Sequence, residues 1–114
     1  MSFRHFRTSL ALIGLAAQAC TAALTPMSAW AADDAKVLIK DFMYTPMSLT
    51  VKAGTTVTWV NVDDEPHTVV SDTGLFRSGG LDTNESYSYR FDKPGSYHIT
   101  CSIHPRMAAT VVVE

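Results

Sequence analysis

The chain has 114 residues, 46% of them hydrophobic and 18% charged, with a formal net charge of -2. That length and composition suit one globular domain and leave no room for two. Its Lys and Arg residues are scattered singly, which excludes the basic stripe of a nucleic-acid binder and the polybasic block of a membrane-surface protein.

Arg4, His5 and Arg7 open the chain, an apolar stretch covers residues 10–24, Pro26 ends any helix, and Ala29-Trp30-Ala31 offers small residues around a cleavable bond. A basic start, an apolar middle and a small-residue site form the layout of an export signal. Residues 1–31 are therefore expected to be a cleavable signal peptide and residues 32–114 the mature domain. Two alternatives compete. An uncleaved membrane anchor needs about 20 predominantly apolar residues, more than this stretch supplies. A lipid-bearing Cys20 would want a leucine three residues earlier, where Ala17 stands. Cleavage after Ala31 removes Arg4 and Arg7 but no acid, so 7 basic residues face 11 acidic ones and the net charge becomes -4. It also removes Cys20 and leaves Cys101 as the lone cysteine. A lone thiol in an oxidising compartment is a hazard unless something occupies it, and a metal is one such occupant. A buried inert cysteine is the plainer alternative.

The mature sequence reads as strands and turns. Residues 36–42 are apolar enough for a first strand, and residues 48–52 alternate before the Ala53-Gly54 turn. Residues 55–62 are rich in Thr, Val and Trp, which suit a pleated surface. Val57, Trp59 and Asn61 share one face of it; Thr58, Val60 and Val62 share the other. Residues 68–70 make a short strand, and residues 73–83 a Gly-containing loop. Residues 86–91 place Tyr87, Tyr89 and Phe91 on one side and Ser86, Ser88 and Arg90 on the other. Asp92-Lys93-Pro94-Gly95 is a turn, since Pro presets φ and Gly admits positive φ. Residues 96–101 and 108–113 complete the set. No window holds a helical period over three turns, so the expected class is all-β, a sandwich or barrel of short strands.

The chemistry is concentrated in Cys101-Ser102-Ile103-His104-Pro105-Arg106-Met107. A thiolate, an imidazole and a thioether stand three residues apart each, directly after a strand, where a short loop can wrap all three around one ion. Soft sulfur with imidazole favours copper, and two His with one Cys and a weak axial Met define an electron-transfer site. The second His comes from elsewhere. His5 lies in the signal, and His98 sits on a strand at a position facing away from Cys101, so His67 remains. Singly, each residue has an ordinary role: His67 as a turn histidine, Met107 as core packing, His104 as a loop residue. Together with the lone Cys101 they indicate a mononuclear copper site. Met43 and Met47 read as packing or surface residues, and His98 as solvated.

From about residue 36 to the end, the chain resembles the cupredoxins, and within them the amicyanin and plastocyanin group. The resemblance rests on Val57-Thr58-Trp59-Val60-Asn61, Pro66-His67-Thr68-Val69, Pro94-Gly95-Ser96-Tyr97 and the Cys101–Met107 loop, in which the two residues between His104 and Met107 match the amicyanin spacing. It implies a Greek-key β-sandwich of about seven to eight short strands. It also implies one copper cycling between Cu(II) and Cu(I), held by His67, Cys101, His104 and Met107, and a soluble periplasmic electron carrier rather than an enzyme. His104 would lie at the surface as the electron's exit, with donor and acceptor proteins docking near His104, Pro105 and Arg106. A monomer is expected. Many members carry Asn directly after the first His, tying the two ligand loops together; Thr68 stands there instead and offers only a hydroxyl. Arg106 in the exposed loop argues against carrying over amicyanin's own partner.

The main rival is a periplasmic copper carrier or buffer with the same ligands, although carriers more often cluster Met or His, and no cluster is present. A catalytic copper enzyme would need further histidines for a second site, and His98 is the only spare. A metal-free interaction sandwich leaves Cys101 unexplained.

Overall fold

The computed structural model describes residues 34–114, together with Gly14. The expected signal segment and its cleavage bond lie outside the described residues.

Strands form where β-branched and aromatic residues alternate with polar ones. They are β1 (Asp34–Lys40), β2 (Met43–Thr45), β3 (Ser48–Val51), β4 (Thr55–Asn61), β5 (Val70–Ser71), β6 (Ser86–Phe91), β7 (Gly95–Thr100) and β8 (Ala108–Val113). Two four-stranded sheets result, in the orders β2-β1-β4-β6 and β3-β8-β7-β5. Both are mixed, with β1 parallel to β4 and β3 parallel to β8 among otherwise antiparallel neighbours. This is the all-β sandwich expected from the alternation. Among the described residues, no helix is long and apolar enough to cross a membrane.

β4 sets the core. Thr55, Val57, Trp59 and Asn61 are buried while the residues between them are partly exposed, a period of two that matches the pleat. The fully buried Trp59 ring lies 6.0 Å from Phe76 and 6.3 Å from both Tyr87 and Phe91, centroid to centroid. Val37 and Ile39 of β1 join it from one sheet, Ile99 and Val111 from the other.

Two strands differ from the sequence expectation by more than one residue. Residues 36–42 are not one strand: the chain turns at Asp41 and Phe42, both at positive φ (53° and 58°), and returns as β2 with Met43 opposite Lys40. No Gly or Asn marks this turn, so apolar Phe42 reads as a continuing strand. In the second case, pairing of β5 begins only at Val70, because Thr68 directs its N–H to Cys101 Sγ and Val69 directs its own to Ser78 Oγ. The expected loop over residues 73–83 is packed onto the sandwich. Phe76 and Leu81 are each only 6% exposed and plug the core edge.

Replacing Trp59 by Ala should destabilise the copper-free protein by about 3–5 kcal/mol, the usual penalty for emptying a large aromatic site in a packed core. Urea unfolding measures it, and an unchanged midpoint would contradict the central role given to this ring.

Candidate metal centre

Two loops, one from each sheet, supply the predicted residues. The first follows β4 and carries His67, whose backbone is fixed by an exchange with Leu81: its N–H reaches Leu81 O at 3.1 Å and its carbonyl accepts Leu81 N–H at 2.7 Å. The second joins β7 to β8, whose pairing closes at Thr100 opposite Ala108. Within it Cys101 N–H donates to Met107 O at 3.3 Å and Met107 N–H donates to His104 O at 2.9 Å, so the loop is a tight turn rather than an open span.

The structure brings His67, Cys101 and His104 together: one donor atom from each lies within 4.8 Å of the others. His67 Nδ1 faces His104 Nδ1 at 3.1 Å, and Cys101 Sγ is 3.7 Å from the same nitrogen. His67 and Cys101 are buried and His104 is half-buried. Met107 is buried at the end of the same loop. The other candidates stay apart. His98 is exposed, its Nδ1 3.3 Å from Thr110 Oγ1 on the neighbouring strand. Met43 and Met47 are exposed surface residues.

Thr68 fastens the two loops. Its N–H points at Cys101 Sγ from 3.4 Å, and its hydroxyl oxygen accepts Ser102 N–H at 2.8 Å and lies 2.9 Å from Ser102 Oγ. The link that the resemblance assigns to Asn is thus made by a threonine hydroxyl. Burial by itself would push the Cys101 thiol up. The amides of Thr68, Ile103 and His104 and the His104 ring outweigh it and hold the thiol below its ordinary value, which favours the thiolate a metal needs. Tyr44 donates its hydroxyl to Thr68 O at 2.7 Å; burial first, and then the nearby Cys101, raise its ionisation far above the usual phenol range.

Two further residues shape the site without having been singled out from sequence. Asp63 Oδ2 lies 2.8 Å from His67 Nε2, and since a carboxylate only accepts, it fixes the proton there and leaves Nδ1 with its lone pair. The same carboxylate accepts the N–H groups of Asp41 and Phe42. Burial opposes ionisation of Asp63, but those two amides and His67 together hold it below the usual carboxylate value. Asn61, fully buried, donates its amide to the carbonyls of Glu65 and Leu81, both at 2.8 Å, and accepts Asp63 N–H at 3.0 Å. The signals were faint: a polar residue ending the buried face of β4, and an acid four positions before His67.

Replacing Thr68 by Val keeps the volume and the N–H but strands Ser102 N–H. A loss of about 0.5–1.5 kcal/mol in stability is expected, the net worth of one hydrogen bond, since this one is only part-buried. Denaturant unfolding of the copper-free variant checks it, and wild-type stability would mean that the hydroxyl does not fasten the loops.

A β-sandwich whose two loops converge one thiol and two imidazoles on a single point is a mononuclear metal-binding sandwich. The chain belongs to the cupredoxin-like family, whose domain profile matches residues 9–113. It is 32% identical over 119 residues to amicyanin-alpha of Methylorubrum extorquens, with 96% of each chain covered. Among solved structures it resembles a purple cupredoxin from Nitrosopumilus maritimus (TM-score 0.66, 34% identity), covering 71% of this chain and 100% of that one. The copper(I) form of an amicyanin variant superposes with a TM-score of 0.68 at 32% identity, over 71% of this chain and 82% of that one. Copper is the metal that this family and this mixed sulfur and imidazole donor set specify.

Proposed function

We propose that the mature protein is a soluble one-electron carrier in which His67, Cys101, His104 and Met107 would hold one copper. The observation that carries this reading is the convergence of the His67, Cys101 and His104 donor atoms to within 4.8 Å on a braced sandwich end. Copper bound there supplies a one-electron couple between Cu(II) and Cu(I). The chain's own part is to hold the donors still. Cys101 is fixed by amides, His67 by Asp63 and the Leu81 exchange, and the backbone of His104 by the turn that ends at Met107. Donors that do not move between oxidation states keep reorganisation small, which fast electron transfer requires. The same bracing disfavours a copper carrier, which must open to release its ion.

The half-buried His104 is the natural exit for the electron. It lines a shallow surface groove with Phe42, Ile103, Pro105, Arg106 and Met107, and this face is where redox partners would dock. Export through residues 1–31 to the periplasm, and a monomeric state, complete the proposal.

Cys101→Ser should abolish the intense thiolate-to-copper absorption of the copper-loaded protein while circular dichroism shows the sandwich intact. A variant that stays strongly coloured would remove Cys101 from the ligand set.

Arg106→Glu should change the bimolecular rate with the physiological partner and reverse or flatten its dependence on salt, while the midpoint potential barely moves. Identical kinetics at every ionic strength would place docking on another face.

A further inference from the structure

The turn between β1 and β2 is built against its own backbone preference. Asp41 and Phe42 are the two central residues of a hairpin, at φ 53° and 58°. A two-residue turn of that hand favours Asn-Gly, and a bulky residue with positive φ is strained. Full burial does not offset the strain, since Phe42 remains 47% exposed. The offset comes from Asp63, whose carboxylate accepts Asp41 N–H at 2.7 Å and Phe42 N–H at 3.0 Å while holding His67 Nε2 at 2.8 Å.

The pinned turn sets the Phe42 ring edge-to-face against both imidazoles. Its centroid is 5.1 Å from His67 and 4.9 Å from His104, with interplanar angles of 89° and 88°. His67 has Asp63 and its backbone exchange to hold it. The His104 ring has no such support: its nitrogen contacts are His67 Nδ1 and Cys101 Sγ, the very donors it would share a metal with. Outside the donor set, the Phe42 ring is the aromatic wall it leans on.

Resting on the copper reading above, we propose that Phe42 is a positioning residue for the metal centre. Carried on the turn that Asp63 pins, its ring holds the His67 and His104 rings at ligating separation and slows detachment of His104, the exposed ligand. The strained turn is retained because no glycine could supply that wall. One carboxylate thereby sets both the proton position on His67 and the placement of the ring that restrains His104. Such support of a first set of ligands by a second set of groups is what keeps a site preorganised.

The test is Phe42→Gly, which separates positioning from folding because glycine suits the turn better than phenylalanine does. The copper-free variant should unfold at or above the native temperature. Transfer of Cu(I) from the loaded variant to bicinchoninate should nevertheless be faster by about threefold to tenfold, the loss of the one edge-to-face contact that His104 breaks on detaching. Phe42→Leu should also release copper faster, since it keeps apolar bulk but no ring, and Phe42→Tyr should restore the native rate. Native release rates in both Phe42→Gly and Phe42→Leu would overturn the proposal. A second measurement does not depend on copper. In NMR of the metal-free protein, His104 ring signals should be sharp in the native chain and in Phe42→Tyr, and broadened by exchange in Phe42→Gly. Equal sharpness in all three refutes the restraint. Failure of the native chain to take up copper would instead refute the copper reading alone.

Discussion

A donor cluster assembled from two loops keeps its shape only as well as the loops are fastened to each other, and here the fastening passes through Thr68. Its N–H is directed at the sulfur of Cys101, its hydroxyl takes Ser102 N–H, and its carbonyl accepts the Tyr44 hydroxyl. Three elements are thereby joined at one residue: the loop after β4, the β7–β8 loop and β2. The arrangement also favours ionisation of Cys101. A thiol removed from water would resist ionising, and it is the amide dipoles aimed at the sulfur that reverse the balance.

Around that point the sandwich end is a polar network whose demands are met. Among the described residues, no buried side-chain nitrogen or oxygen lacks a hydrogen-bond partner. Asn61 uses its whole amide on the backbone of the His67 loop and on Leu81, and its own carbonyl takes Asn84 N–H at 2.6 Å. Satisfied networks of this kind favour one geometry over its near neighbours, because each displaced group would be left unpaired in a poorly solvated place. The apolar core, centred on Trp59, supplies most of the cohesion; the polar end determines where the donors stand.

Strands with clean alternation were legible from sequence. β6 and β8 run over the expected residues, and Val57, Trp59 and Asn61 share one face of β4 as expected, the face that the structure buries. The convergence of His67, Cys101 and His104 was legible because its pattern is local: Cys101 and His104 stand three apart directly after a strand, and His67 was the histidine left over. What escaped depends on tertiary contacts. The turn at Asp41 and Phe42 has no sequence mark, since what stabilises it is a carboxylate 21 and 22 residues away. The role of Asp63 toward His67 shows only once the loop is folded back. That Thr68 can tie the loops depends on Ser102 presenting its N–H at hydroxyl height, which no spacing rule encodes.

The distribution of the proposed donors along the chain bears on the unfolded state. Cys101, His104 and Met107 fall within a seven-residue segment, whereas His67 lies 34 residues before Cys101 and is recruited only when both sheets exist. A denatured chain therefore retains a flexible chelate of three donors out of four, with the thiol among them. A ligand that binds the unfolded chain stabilises the native state by less than its full affinity would suggest. The parallel pairings β1 with β4 and β3 with β8 join residues 22 and 62 apart in the chain, separations that carry a loop-closure cost. Metal captured by the loop before they close would complete its coordination in the same step that docks the sheets.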